Sequence, residues 1–227
     1  MYAPVITPYR YLARRKAYSY PAVGLRTRAV GRRFASVTAM ERHLYRLFRS
    51  ANSADVVLGY LSVIYWGHYL GQNGKPNVPR ALSRVRLALV GLRNKGLNDE
   101  ETAVLIRAAA SLLRMRRSEL AIMTLMQLPQ LKMAFASKVC SFLDSDRHGV
   151  IDRVIARKYR KLGFAFDAQG YVSNGRDNIL AYVQYCRFLT RQARSLNSLG
   201  SAYRWRERTG PSRRWRAVDV ERALYAS

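Results

Sequence analysis

Cysteine is scarce in this 227-residue chain: Cys140 and Cys186 stand alone. Two thiols exclude a disulfide framework and a four-cysteine iron–sulfur cluster or zinc ribbon. The three histidines, His43, His68 and His148, have no i, i+4 pairing and no nearby cysteine, so neither a metal site nor a cofactor is expected. There is no Gly-x-Gly-x-x-Gly, Walker loop or Gly-x-Ser-x-Gly, which leaves a kinase, a dinucleotide enzyme or a hydrolase of those types without the backbone that holds its reactive groups. Long apolar runs are missing too. The weakly polar stretch 56–70 is interrupted by Gly59, Ser62, Gly67 and His68 and falls short of the ~20 residues that span a bilayer, so no transmembrane helix and no membrane partner are expected. Acidic side chains are the final shortage, 14 against 40 Lys and Arg.

That imbalance gives a formal charge of +26 and points to a polyanionic partner. Hydrophobic residues make up 49% of the chain, too many for a disordered basic tail, so most of it is expected to fold. The length suits one domain with a core and a flanking arm. The first 40 residues hold eight basic side chains (Arg10, Arg14, Arg15, Lys16, Arg26, Arg28, Arg32, Arg33) and five tyrosines, and the first carboxylate is Glu41. Residues 1–37 therefore read as a basic arm, a DNA-binding or targeting segment, and residues 38–227 as the folded domain. An acid-free, Arg-rich leader is also how an organelle transit peptide reads, although Pro4, Pro8 and Pro21 weaken the helix such peptides form. An intracellular location is expected, in the cytoplasm or nucleoid unless the arm directs the chain to an organelle. Beyond the arm 32 basic residues remain, so the body is basic as well.

From Thr38 onward the apolar spacing is helical and breaks at Gly, Asn and Pro clusters; no strand is expected. Thr38-Ala-Met-Glu41 reads as a capping box, Ser53 or Asp55 as the start of a second helix, and Pro79 to Leu92 as a third. Asn98 with Glu101 signals a fourth, Ser118 opens a fifth that ends at Leu128-Pro129, and Met133 to Phe142 follows. Asp152 heads the next, then a long helix over Asp177 to Leu196, an Arg/Trp-rich loop and a terminal helix. The expected fold class is all-α, a compact multi-helix domain without a 30–45-residue repeat.

The informative stretch runs from Leu128 to Tyr159, LPQLKMAFASKVCSFLDSDRHGVIDRVIARKY. Its Leu128-Pro129 turn, Ala136, the run Val150-Ile151-Asp152 and Val154-Ile155-Ala156-Arg157 resemble the helix-hairpin-helix (HhH-GPD) DNA glycosylases, with the adenine-glycosylase offset of 24 residues from Leu128 to Asp152. The resemblance covers about 32 residues and implies a compact glycosylase-like all-α fold, double-stranded DNA as partner, a monomer, and Asp152 as the essential carboxylate. Glycosidic cleavage builds positive charge on the sugar, which a carboxylate beside the anomeric carbon stabilises while orienting or deprotonating the nucleophile. An Asp at that position also caps a helix with its side-chain oxygen.

Two positions depart from the family. Gln130-Leu131-Lys132 stand where it has Gly-Val-Gly, so the close approach of backbone to phosphate is expected to be replaced by contacts from Gln130 and Lys132. Ala134 stands where the bifunctional members carry their Schiff-base lysine, but Lys138 projects from the same face one turn later. Lys138 is either a nucleophile for an abasic-site lyase step or a phosphate-contacting surface lysine. The remaining candidates for DNA contact are Arg153 and Arg157 beside Asp152, and Arg204, Arg206, Arg213 and Arg214, which interleave with Trp205 and Trp215. Tyr65, Trp66 and His68 form an aromatic group that either lines a base pocket, wedges into the stack, or packs in the core.

The expected function is a DNA N-glycosylase that flips and excises a modified base. The alternative is a non-catalytic nucleic-acid-binding protein on a glycosylase-like scaffold, associated with DNA or with RNA and ribosomes.

Overall fold

The computed structural model describes residues 7–71, 73–207 and 210–226. In chain order these form α1 (Pro8–Ala17), β1 (Val23–Thr27), β2 (Val30–Arg33), α2 (Val37–Phe48), α3 (Ser53–His68), α4 (Val78–Asn94), α5 (Asp99–Arg114), α6 (Ser118–Leu125), α7 (Met133–Leu143), α8 (Arg153–Lys158), α9 (Arg176–Ser198) and α10 (Ala217–Tyr225). The fold is mostly helical. The chain divides into two compact units, residues 20–143 and the described residues of 1–19 with 144–227. The segment 1–37, set apart above on its charge, is thus shared between the two.

In the unit of residues 20–143, α3 is the central element. Val56, Val57, Tyr60, Leu61, Val63, Ile64, Tyr65 and Trp66 are all buried, so this helix is apolar on every side and takes neighbours all round. It packs against α2, α4, α5, α7 and β1. The hairpin of β1 and β2 lies within residues 1–37, ahead of the stretch from Thr38 for which no strand is expected. Val23 and Leu25 face inward, the Leu25 amide donates to Ser62 Oγ on α3 at 3.1 Å, and Arg26, Arg28, Arg32 and Arg33 stay exposed. Strands of five and four residues are too short to raise a periodic signal above the charge around them.

Polar residues set the helix starts, not always those expected. Ser36 Oγ accepts from the Ala39 amide, so α2 is capped two residues before Thr38, which with Glu41 is buried inside the helix. Asn52 rather than Ser53 or Asp55 caps α3, accepting from the Ala54 amide at 2.9 Å. Asn98 and Glu101 form the expected reciprocal box on α5. Helix α6 ends at Leu125, short of Leu128-Pro129.

In the other unit α1 packs on α10. Arg15 pairs with the buried Asp219 carboxylate at 3.3 Å and lies over the Trp205 ring at 3.9 Å. Burial pushes the Asp219 carboxyl up, but Arg216, Arg15 and Arg222 outweigh it and hold the group below the usual carboxylate range. Trp205 and Trp215 are both buried, their indole N–H groups donating to the carbonyls of Arg214 and Tyr203. Among the described residues no helix is long and apolar enough to cross a membrane.

Candidate nucleophile and nucleic-acid interface

The turn between α6 and α7 carries the resemblance. Leu128 and Leu131 are buried, and the Tyr60 hydroxyl on α3 donates to the Pro129 carbonyl at 2.6 Å, fixing the turn to the core. Gln130 adopts φ 61°, the left-handed conformation that glycine takes most readily. Lys132 is exposed, and its carbonyl accepts from the amides of Phe135 and Ala136 as α7 begins.

On α7, Lys138 is 8% exposed. Its Nζ lies 5.0 Å from the centre of the Phe135 ring, one turn earlier on the same face. Phe135 stacks on His68 with ring centres 4.6 Å apart. Both Phe135 and the Lys138 stem lie so close to α3 at Gly67 that a Cβ there would collide with the ring. Burial, reinforced by Arg84, Arg80 and Lys138, pushes His68 down to about 3, so it is neutral near pH 7. The structure therefore brings two candidates from distant parts of the sequence, His68 and Lys138, to one cluster. Phe135, Arg80 and Arg84 were not singled out from the sequence; the one-turn spacing of Phe135 from Lys138 was the available signal.

Tyr65 and Trp66 take the core alternative, which corrects their assignment to a base pocket or wedge. They are 3% and 5% exposed, and the Trp66 indole donates to the Pro21 carbonyl while its own carbonyl accepts from the Tyr20 hydroxyl. A ring enclosed in this way has no face for a base.

Asp152 lies in the other unit at the head of α8. Its Oδ1 accepts from the amides of Val154 at 2.9 Å and Ile155 at 3.0 Å, so it is a helix cap. Its Oδ2 has no hydrogen bond among the described residues. Arg153 and Arg157 are exposed on α8. In the Arg/Trp loop Arg204, Arg206 and Arg214 are exposed and Arg213 is half-buried, while the tryptophans between them serve as anchors. Arg204, Arg206 and Arg214 are open to solvent, whereas Arg213 Nε is buried and the indoles have no free face for stacking. Among the described residues no group of three or more His, Cys, Asp or Glu could hold a metal ion.

No protein-family model matches the chain, and no curated protein or solved structure matches it.

Proposed function

We propose that the protein binds DNA and excises a base by N-glycosidic cleavage, with the Lys138 amine as nucleophile. The observation that carries this reading is the setting of that amine: a buried lysine held over an aromatic ring that is itself stacked on a histidine, which burial and the charges of Arg84 and Arg80 keep neutral. Such a setting orients an amine and offers phosphate-binding cations close by. The neutral amine attacks the anomeric carbon and the glycosidic electron pair leaves with the base; the ammonium so formed gives one proton to the base and a second to the ring oxygen as the sugar opens to an imine. The left-handed backbone at Gln130 supports the resemblance on which the choice of substrate rests. Asp152 lies in the other unit and enters this reading through the resemblance alone.

The test is base release and borohydride trapping on duplexes carrying oxidised, deaminated, alkylated and abasic nucleotides. Release and a trapped adduct by the wild type are expected, the adduct being lost in Lys138→Gln and release falling at least a hundredfold in Asp152→Asn. The use of Asp152 Oδ1 as a cap favours a second reading, a non-catalytic DNA-binding protein. Salt-dependent binding with no release from any duplex would establish that reading in place of the first.

A further inference from the structure

Residues 164–173 form a hairpin beside α8, and nothing in the sequence marked them for function. The hairpin is internally braced. Phe166 pairs with Val172, the Asp167 carboxylate accepts from the amides of Gln169 and Tyr171, and the buried Asn178 bonds to Ala165 and Ser173 at its base. Gly170 at φ 75° makes the turn.

Between this hairpin and α8 lies an open pocket of about 510 Å³ lined by Arg157, Phe164, Phe166 and Gly170. Phe164 is a buried wall, while Phe166 is 36% and the adjoining Tyr171 53% exposed. Arg157 pairs with no carboxylate among the described residues, and a Cβ on Gly170 would come within 2.5 Å of its Nη2. One turn back on α8, Arg153 lies over the Tyr171 ring at 5.5 Å. Aromatic faces left open to solvent beside an uncompensated guanidinium satisfy the two needs of a nucleotide, a stacking surface for the base and a cation for the phosphate.

We propose that this pocket binds one unpaired nucleotide of a DNA strand, its base against Phe166 and Phe164 and its phosphate on Arg157. The inference rests on the reading of DNA as the partner and adds a contact for single-stranded nucleotide that base excision by itself does not require. The volume suits a mononucleotide, and the strong positive charge of the chain favours the phosphodiester over a neutral aromatic ligand.

A short single-stranded DNA containing 2-aminopurine tests it, because stacking on an aromatic ring quenches that base. Binding to the full chain is expected to quench the fluorescence. Phe166→Ala and Arg157→Gln are each expected to weaken binding about tenfold, and Phe166→Ala to abolish the quench. Gly170→Ala, which displaces the Arg157 head, is expected to weaken it in the same direction. The free 2-aminopurine nucleoside, without a phosphate, is expected to bind at least tenfold more weakly than the oligonucleotide. Thermal melts of the variants identify any that fail to fold; Phe166 and Arg157 are both exposed enough to be replaced. Unchanged affinity and quench in all three folded variants overturns the pocket. Borohydride trapping on the wild type is read in parallel. Trapping without any change in quench overturns this proposal alone, and quench lost in the variants without trapping overturns base excision alone.

Discussion

Each unit contains a group of aromatic rings near cations, and the two groups are built in opposite ways. Around α3 the rings of Tyr65 and Trp66 are enclosed, the Trp66 indole donating to a backbone carbonyl, while His68 and Phe135 stack beside Lys138. On the hairpin of residues 164–173 the rings of Phe166 and Tyr171 are open and face the arginines of α8. Aromatic density along the sequence is greater at the first site, yet most of that density is core. A ring becomes available to a ligand when its neighbours are a short braced turn and solvated guanidinium groups, not when it sits on a helix that is apolar all round.

The largest expected consequence of this difference is in stability. Trp66→Ala removes a buried indole and its bond to the Pro21 carbonyl, and is expected to cost about 3–5 kcal/mol. Measured as a shift in urea midpoint at constant slope, a loss below about 1 kcal/mol would show that the ring is not part of the core. The second effect depends on pH. A folded His68 held down to about 3 refuses a proton that the unfolded chain accepts below about 6.5. Its contribution to stability is therefore complete above 6.5 and declines as pH falls from there toward 3. His68→Gln is expected to remove that slope, so that wild type and variant converge or cross on acidification. Parallel curves would place His68 in water rather than against Phe135. Smaller again is Phe166→Ala, expected to cost about 1 kcal/mol because the ring is partly solvated in the folded state. A loss as large as that of Trp66→Ala would make the second group a core as well.

Much of the helical framework was legible from local chemistry. Asn98 and Glu101 announce α5, Asp152 announces α8, and the apolar spacing locates α3, α7 and α9, because caps and periodicity act over a few residues. The β1–β2 hairpin was hidden because its two inward side chains, Val23 and Leu25, are a minority among arginines. The docking of α1 on α10 depends on Arg15 meeting Asp219, a pair separated by 204 positions, and no local pattern carries it. The same holds for the candidate sites. Lys138 was visible as a lysine on the face of α7, but its partners His68 and Gly67 come from α3, and Arg157, already a candidate for DNA contact, meets its aromatic neighbours only through the return of the chain at Gly170.

The two turns beside these sites offer the finest test of how each is built. Gly170 and Gln130 both adopt a left-handed conformation, φ 75° and 61°, but only one is glycine. An L residue in that region is strained by about 1–2 kcal/mol, whereas introducing glycine costs roughly 0.5–1 kcal/mol through the added freedom of the unfolded chain. The first effect exceeds the second, so Gln130→Gly is expected to stabilise the protein by about 0.5 kcal/mol, and Gly170→Ala to destabilise it by about that amount or more, since its Cβ also meets Arg157. Opposite shifts in the urea midpoint would establish that backbone conformation governs both turns. If Gln130→Gly instead destabilises, the Gln130 side chain makes a contribution greater than the strain it imposes.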